Sequence, residues 1–177
     1  MTQTLQSPVT PPTEDGSLPR VGSTGWLADA LDSVVCGDNC DVLANFPRES
    51  VDLVVTSPPY DDIRTYGGHS WDFYGVAWQL KRVLKPGGVI VWVVADATVE
   101  GSETCSSMEQ AQHFKRLGLR LHDTMIYHKP SMAFPRHGHT KYCGAWEYMF
   151  VLSLGAPRAW NPIKDRANNL AGAKMTG

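Results

Sequence analysis

The residues best suited to chemistry are Thr56-Ser57-Pro58-Pro59-Tyr60, which directly follow an apolar, mostly β-branched run over residues 51–55. Two consecutive prolines fix φ and remove two N–H donors, so this loop is stiff and its carbonyl acceptors point in set directions. Ser57 adds a hydroxyl and Tyr60 an aromatic ring. A rigid turn and a proline-rich ligand for an aromatic groove are the other interpretations. The second would normally lie in a flexible segment, not directly after a buried strand.

Alternating strand and helix patterns surround the loop and predict a doubly wound, mostly parallel α/β sheet, whose ligands bind beyond the carboxyl ends of the strands. The run over residues 51–55 is expected to be buried on both faces. The last two strands are expected to form an antiparallel pair at the edge. The predicted strands cover residues 33–36, 51–55, 89–95, 119–129 and 146–154, and the predicted helices cover 39–46, 71–84 and 106–117.

Two local signals sharpen these boundaries. Phe73, Ala77, Leu80 and Leu84 recur at helical spacing and predict the buried stripe of the second helix. Lys85-Pro86-Gly87-Gly88 is expected to end that helix sharply. Asn39 is expected to cap the first helix.

The 177 residues suit one domain with a tail and a linker. Residues 1–25 are rich in Pro, Ser, Thr and Gly and predict a disordered tail. A catalytic domain is expected over 26–166, including an irregular loop at about 130–145. Residues 167–177 are expected to lead towards a missing C-terminal part. No apolar run is long enough to span a bilayer and no secretory signal is visible, so a cytoplasmic location is expected.

The ordered motifs resemble the amino-group DNA methyltransferases, which act on cytosine N4 or adenine N6, in the group with permuted (beta-type) motif order. Their catalytic motif is Asp, Asn or Ser followed by Pro-Pro-Tyr, which Ser57-Pro58-Pro59-Tyr60 matches. The resemblance covers residues 34–166 and implies a Rossmann-like fold that uses S-adenosylmethionine. The other matching segments, in chain order, are Gly37-Asp38, Ser50-Val51-Asp52-Leu53, Asp61-Asp62-Ile63-Arg64, Leu84-Lys85-Pro86-Gly87-Gly88 and Glu147-Tyr148-Met149-Phe150-Val151-Leu152.

The resemblance implies site-specific DNA methylation, of the kind found in restriction-modification, on a base flipped out of the duplex. Ser57 and the Pro58 carbonyl would accept the two amino hydrogens, and Tyr60 would stack on the base. No covalent intermediate is needed, so Cys36 and Cys40 need not be nucleophiles. Serine at the first motif position favours cytosine N4, although some relatives with this motif methylate adenine N6. Methylation of a protein glutamine amide is a further alternative.

The sequence contains only some of the residues expected to contact S-adenosylmethionine. The resemblance places Asp38 near the cofactor's adenosine, although a Gly-Asp pair is also a common turn. Thr56 is assigned to the cofactor as well. Asp96 ends a strand and is expected either to contact the cofactor's amino-acid portion or to cap a helix or loop.

The family's Phe-x-Gly-x-Gly loop is missing, because no GxG occurs anywhere in the chain. We therefore expect an incomplete fold with open strand edges. The missing loop would lie in a C-terminal segment or a second polypeptide. The alternative is a catalytically silent remnant that binds DNA or an active partner subunit.

Charge is distributed unevenly. Residues 1–62 hold ten acidic residues and two arginines, a balance of −8, whereas residues 115–141 hold six Lys or Arg and one Asp, a balance of +5, with four histidines interspersed. This asymmetry indicates a face that meets double-stranded DNA, mainly through phosphates. Arg64 is a second possible phosphate contact, or forms a salt bridge with Asp61 or Asp62. The assigned DNA-binding residues are Arg64, Lys129, Arg136, His137, His139 and Lys141.

No metal site is predicted. The four cysteines show no CxxC spacing, which argues against a zinc ribbon. His137, His139 and Cys143 have ligand chemistry that suits Zn²⁺. Loop histidines near a phosphate backbone and a small buried thiol are the preferred interpretation.

Overall fold

The computed structural model describes residues 30–59, 71–130 and 144–161. The predicted tail and linker, and most of the 130–145 loop, lie outside these ranges and stay predictions. The strands are β1 (Val51–Thr56), β2 (Leu84–Val94), β3 (Thr98–Val99), β4 (Ser102–Glu103), β5 (Arg120–His128) and β6 (Trp146–Ser153). The helices are α1 (Asn39–Ala44), α2 (Phe73–Val83) and α3 (Ser106–Arg116).

A four-stranded sheet in the order β1-β2-β6-β5 forms the framework, and β3 and β4 make a separate small hairpin. β1 and β2 are parallel, whereas β6 runs antiparallel to both β2 and β5. The predicted α/β fold is confirmed, as is the antiparallel pairing of the last two strands. Over the described residues the sheet is mixed.

The core lies between one face of the sheet and the helices α2 and α3. Ile90, Trp92 and Val94 alternate along β2 and are fully buried. The Trp92 ring lies 6.0 Å from the Phe73 ring of α2 and 5.1 Å from the Phe114 ring of α3, measured between centroids. Both helices therefore cover the same face. The predicted buried stripe of α2 is confirmed, since all four of its residues are buried.

The opposite face of β1 is open, which makes the prediction of burial on both faces wrong. Leu53 is 58% exposed and Val55 is 66% exposed, while Val54 packs against the core. β1 is an edge strand of the sheet that the structure describes, and Val54 is on the face that packs against the core. The apolar run indicated a strand but not which neighbours would cover it.

Residues Lys85–Gly88 lie within β2, where its register with β1 is irregular, and they tie the start of β2 to the end of β6. α2 ends at Val83 as the Lys-Pro-Gly-Gly signal predicted, but β2 begins at Leu84, five residues before the expected Val89. Gly87 has φ +78° and donates its N–H to the Leu154 carbonyl at 2.6 Å. A Cβ at Gly87 would lie 2.4 Å from Arg158 Cγ and 2.9 Å from the Ala156 carbonyl oxygen. Glycine is therefore required here.

Two other predictions need correction. The strand expected over residues 33–36 is reduced to a single bridge at Val34, because a four-residue run forms a strand only when a neighbour pairs along it. Asp38, not Asn39, caps α1, which ends at Ala44 instead of residue 46. Over the described ranges, no helix is long and apolar enough to cross a membrane.

Candidate active site

The catalytic loop begins where β1 ends. Thr56 pairs with Trp92 of β2 and is the last residue of the strand. Ser57 is exposed, while Pro58 is buried and Pro59 is half-buried. The chain thus passes from an exposed serine to a buried proline directly after the strand. Tyr60 lies outside the described residues, so its stacking role stays a prediction.

Four strand ends meet beside this loop. β2 is parallel to β1, so its carboxyl end lies at the same edge of the sheet. β6 is antiparallel to β2, with Tyr148 opposite Val94, and therefore begins at this edge. β5 ends there, with His128 opposite Trp146. We call this the catalytic edge: the carboxyl ends of β1, β2 and β5 and the start of β6.

Asp96 lies at the catalytic edge, two residues after β2, and caps α3. Its Oδ1 accepts from the Ser107 N–H at 2.8 Å and from the Ser106 hydroxyl at 3.2 Å, and its Oδ2 accepts from the Ser107 hydroxyl at 2.7 Å. Ser107 is fully buried. Cys105, the residue at the N-cap position, has φ 56° and makes no side-chain capping bond. This geometry favours the capping interpretation of Asp96, and its contact with a cofactor stays a prediction.

Asp38 and Asp72 cap the other two helices. Asp38 accepts from the backbone N–H groups of Cys40 at 2.9 Å and Asp41 at 3.3 Å. Asp72 accepts from the Gly75 N–H at 3.0 Å. The sequence interpretation missed Asp72. An Asp directly before an apolar helical period was the signal that could have found it.

The helices α1 and α2 lie side by side and run in the same direction. A Cβ on Gly75, in the first turn of α2, would lie 3.1 Å from the Cys40 sulfur of α1. Arg82, in the last turn of α2, donates to the carbonyls of Leu43 at 2.6 Å and Phe46 at 2.8 Å. Phe73 contacts Trp92 near the end of β2, so all three helix N-termini lie towards the catalytic edge.

Cys40 is poorly suited to act as a nucleophile. Burial raises the pKa of its thiol, and the negative charges of Asp38, Asp72 and Asp41 raise the pKa further. Because the thiolate is the reactive form, a raised pKa lowers reactivity. The cysteine chemistry of carbon-5 cytosine methyltransferases has no support at this position.

Lys129, one of the predicted DNA contacts, forms an ion pair with the Glu147 carboxylate at the catalytic edge. The other predicted DNA contacts, Arg64, Arg136, His137, His139 and Lys141, lie outside the described residues and stay predictions. So do the histidines and Cys143 considered for metal binding. Within residues 30–59, 71–130 and 144–161, no three His, Cys, Asp or Glu side chains cluster to hold a metal.

A sequence model of the N6/N4 methylase family, described as DNA methylase, matches residues 51–176. The chain belongs to this family. The match includes β1, β2, β5 and β6, whose ends form the catalytic edge, together with the catalytic loop.

Individual relatives agree with this membership. Orphan methyltransferase M.BamHII of Bacillus amyloliquefaciens is 54% identical over 119 residues, which cover 67% of this chain and 44% of that protein. Type II methyltransferase M.BglII of Bacillus subtilis is 29% identical over 141 residues, 76% of this chain and 38% of that protein. The chain thus spans less than half the length of these two relatives.

Solved structures confirm the fold. TTHA0409 of Thermus thermophilus, complexed with S-adenosyl-L-methionine, has 28% identity and a TM-score of 0.53, over 73% of this chain and 57% of that one. PvuII DNA methyltransferase, which is cytosine-N4-specific, has a TM-score of 0.55 over 71% of this chain and 50% of that one. Its 22% identity shows the fold alone.

Proposed function

We propose that this chain supplies the catalytic loop of an S-adenosylmethionine-dependent DNA methyltransferase that modifies the exocyclic amino group of a flipped base, preferably cytosine N4. The observation that carries the proposal is Ser57-Pro58 at the carboxyl end of β1 in a chain of the N6/N4 methylase family. The serine at the first position of the catalytic motif supports cytosine. Adenine N6 is the second candidate, because the family includes both activities.

The target amine is a poor nucleophile because its lone pair is delocalised into the ring. The Ser57 hydroxyl and the Pro58 carbonyl would accept its two hydrogens and draw the nitrogen towards tetrahedral geometry. Because Pro58 is buried and fixed in φ, its carbonyl needs little reorganisation. When bound, S-adenosylmethionine supplies an electrophilic methyl group on a sulfonium. Most of the rate enhancement would come from positioning the lone pair in line with that group.

The described residues fit only one side of a cofactor site. The carboxylates of Asp38 and Asp96, assigned to the cofactor by resemblance, both cap helices. The sequence also lacks the glycine-rich loop. We infer that the cofactor is held mainly by a further polypeptide, as a C-terminal continuation or a second chain. The greater length of M.BamHII and the exposed apolar edge of β1 support this inference.

A silent DNA-binding remnant is the competing function, favoured by the same missing loop. The discriminating assay adds a complementing fragment, defined as the part of M.BamHII outside the 119 matched residues. Methyl transfer to DNA by the chain plus this fragment would exclude the silent remnant. DNA binding without any methyl transfer, with the fragment fused or separate, would favour it.

The assay with Ser57→Ala tests the catalytic role directly. Loss of one preorganised hydrogen bond in a reaction site lowers the rate by roughly 100-fold or more. We expect kcat for methyl transfer to fall by that order, with little change in KM for DNA. Ser50→Ala is the matched control, because Ser50 lies just before the opposite end of β1 and its hydroxyl bonds locally to the Pro47 carbonyl at 2.8 Å. Full activity of Ser57→Ala would refute the mechanism.

A further inference from the structure

The connection between β5 and β6 is fixed at both of its ends. Residues 131–143 of this connection lie outside the described part of the chain. At its base, His128 pairs with Trp146, and the Lys129 N–H extends the ladder by donating to the Ala145 carbonyl at 2.7 Å. The Lys129 ammonium also contacts Glu147 Oε1 diagonally across the two strands. A backbone bond and an ion pair therefore join the same two strand ends.

Glu147 is much more deeply buried than Lys129, which indicates that the lysine serves to neutralise the glutamate. Glu147 is only 7% exposed, whereas the Lys129 side chain remains 43% exposed. A carboxylate taken out of water needs a cation or hydrogen-bond donors close by, and removing them is strongly unfavourable. The Lys129 ammonium is thus committed to Glu147. A lysine that binds a DNA phosphate would instead direct its ammonium away from the protein.

The pair lies at the same edge as the catalytic loop. Tyr127 is opposite Glu147 in the β5–β6 ladder, one step beyond the row in which Tyr148 faces Val94 of β2. Ser57 follows β1, the next strand over. Two strand spacings separate β1 from β6, so the pair lies about 10 Å across the sheet from the catalytic loop. A shift of these strand ends would move the side chains that the catalytic edge presents to a substrate held at Ser57.

We propose that the Lys129–Glu147 ion pair is a clamp that fixes the end of β5 to the start of β6 at the catalytic edge, and that Lys129 acts through Glu147 instead of contacting a phosphate. The clamp itself rests on the described contacts. Its effect on DNA rests on the proposed function and on the sequence prediction that the residues between β5 and β6 contact the duplex. Both residues are therefore positioning residues, not catalytic ones.

The direction in which Glu147→Gln changes the affinity for DNA distinguishes a clamp from a phosphate contact. If Lys129 contacted a phosphate, Glu147→Gln would remove a nearby negative charge and tighten DNA binding or leave it unchanged. A clamp predicts the opposite, a loss of roughly fivefold in affinity from Glu147→Gln and a similar loss from Lys129→Met. The swapped variant, Lys129→Glu with Glu147→Lys, should regain most of that loss.

Salt dependence gives a second, independent measure. Each phosphate contact contributes about 0.9 to the slope of log K against log salt concentration. We expect fluorescence-anisotropy titrations of the full chain with duplex DNA to give the same slope for wild type and Lys129→Met. Lys85→Met and Asp52→Asn are the matched controls. Lys85 and Asp52 form an ion pair at 2.6 Å near the first residues of β2 and β1, at the strand ends away from the catalytic edge. These controls should leave affinity and slope unchanged.

Hydrogen exchange tests the clamp without DNA. In Glu147→Gln, the amide of Lys129, which bonds to Ala145, should exchange roughly tenfold faster, while amides in the centre of β6 keep their protection. Unchanged exchange at Lys129 would overturn the clamp. So would a slope lowered by about 0.9 in Lys129→Met together with unweakened binding in Glu147→Gln. Faster exchange with no DNA binding by any variant, either alone or with the complementing fragment, would keep the clamp and reject the proposed function.

Discussion

Three aspartates show how single residues prepare the catalytic edge. Asp38, Asp72 and Asp96 each accept backbone N–H groups at the start of a different helix. The first N–H groups of a helix have no partner within the helix, and a carboxylate also interacts favourably with the positive end of the helix dipole. Asp96 differs from the other two because it reaches α3 from the end of a strand. It thereby fixes α3 against β2 as well as capping it.

Substitution of Asp96 should therefore cost more stability than the loss of an ordinary cap. Asp96→Ala removes the cap and leaves the buried Ser107 hydroxyl without its acceptor, for a loss of about 1–3 kcal/mol in the free energy of unfolding. Asp96→Asn keeps one acceptor oxygen and should cost less. Urea unfolding of both variants measures this. Equal stability of Asp96→Ala and wild type would contradict the structural role and revive the cofactor assignment.

Among the elements, the first residues of β2, Lys85–Gly88, follow α2 directly and bond to the segment after β6. Gly87 combines a left-handed φ with close contacts to Ala156 and Arg158, and the Arg158 N–H donates to the Gly87 carbonyl at 3.1 Å. These contacts hold the first residues of β2 beside the chain that follows β6. The register of β2 in turn decides which residues reach the catalytic edge.

Gly87→Ala should destabilise the chain by about 2–3 kcal/mol, because strain from a left-handed φ and a steric clash act together. Gly101→Ala is the control that measures the backbone strain without a steric clash, since Gly101 has φ +84° and open space where a Cβ would lie. It should cost about 1 kcal/mol. Thermal and urea unfolding of the two variants provide the comparison. Equal losses would show that the contacts around Gly87 contribute nothing.

The sequence predicted local elements well and long-range contacts poorly. The stripe of α2 and the loop at Ser57 could be predicted because each follows from spacing within a short segment. The exposure of Leu53 and Val55 could not, since it depends on which strands and helices surround β1. The Lys129–Glu147 pair was missed for the same reason, because the strand register brings together residues 18 positions apart.

At the scale of the whole molecule, the exposed side chains of β1 are the main feature that the described residues leave uncovered. Within residues 30–59, 71–130 and 144–161, β1 is an edge strand, and an edge strand with exposed apolar side chains favours association with another chain segment. Leu53 and Val55 lie on the face away from α2 and α3. We therefore expect the complementing fragment to need this surface.

The double change Leu53→Ser and Val55→Thr should abolish methyl transfer by the chain plus its complementing fragment, or lower the affinity for the fragment by at least roughly tenfold. The reason is that each apolar side chain buried in the contact contributes about 1.5–3 kcal/mol. Ile126→Thr is the control, because Ile126 is similarly exposed but lies on β5, at the other edge of the sheet. It should leave complementation intact. An equal loss from both changes would contradict a docking role for β1.

The identity of the methylated nucleoside tests the central claim most directly. DNA treated with S-adenosylmethionine and the chain plus its complementing fragment would be digested and its nucleosides separated by mass spectrometry. We predict N4-methylcytosine, formed roughly 100-fold more slowly by the Ser57→Ala form. N6-methyladenine alone would contradict the cytosine preference but keep the amino-group chemistry of Ser57-Pro58. 5-Methylcytosine in the DNA, or unmodified DNA with methylation on protein glutamine, would contradict the account.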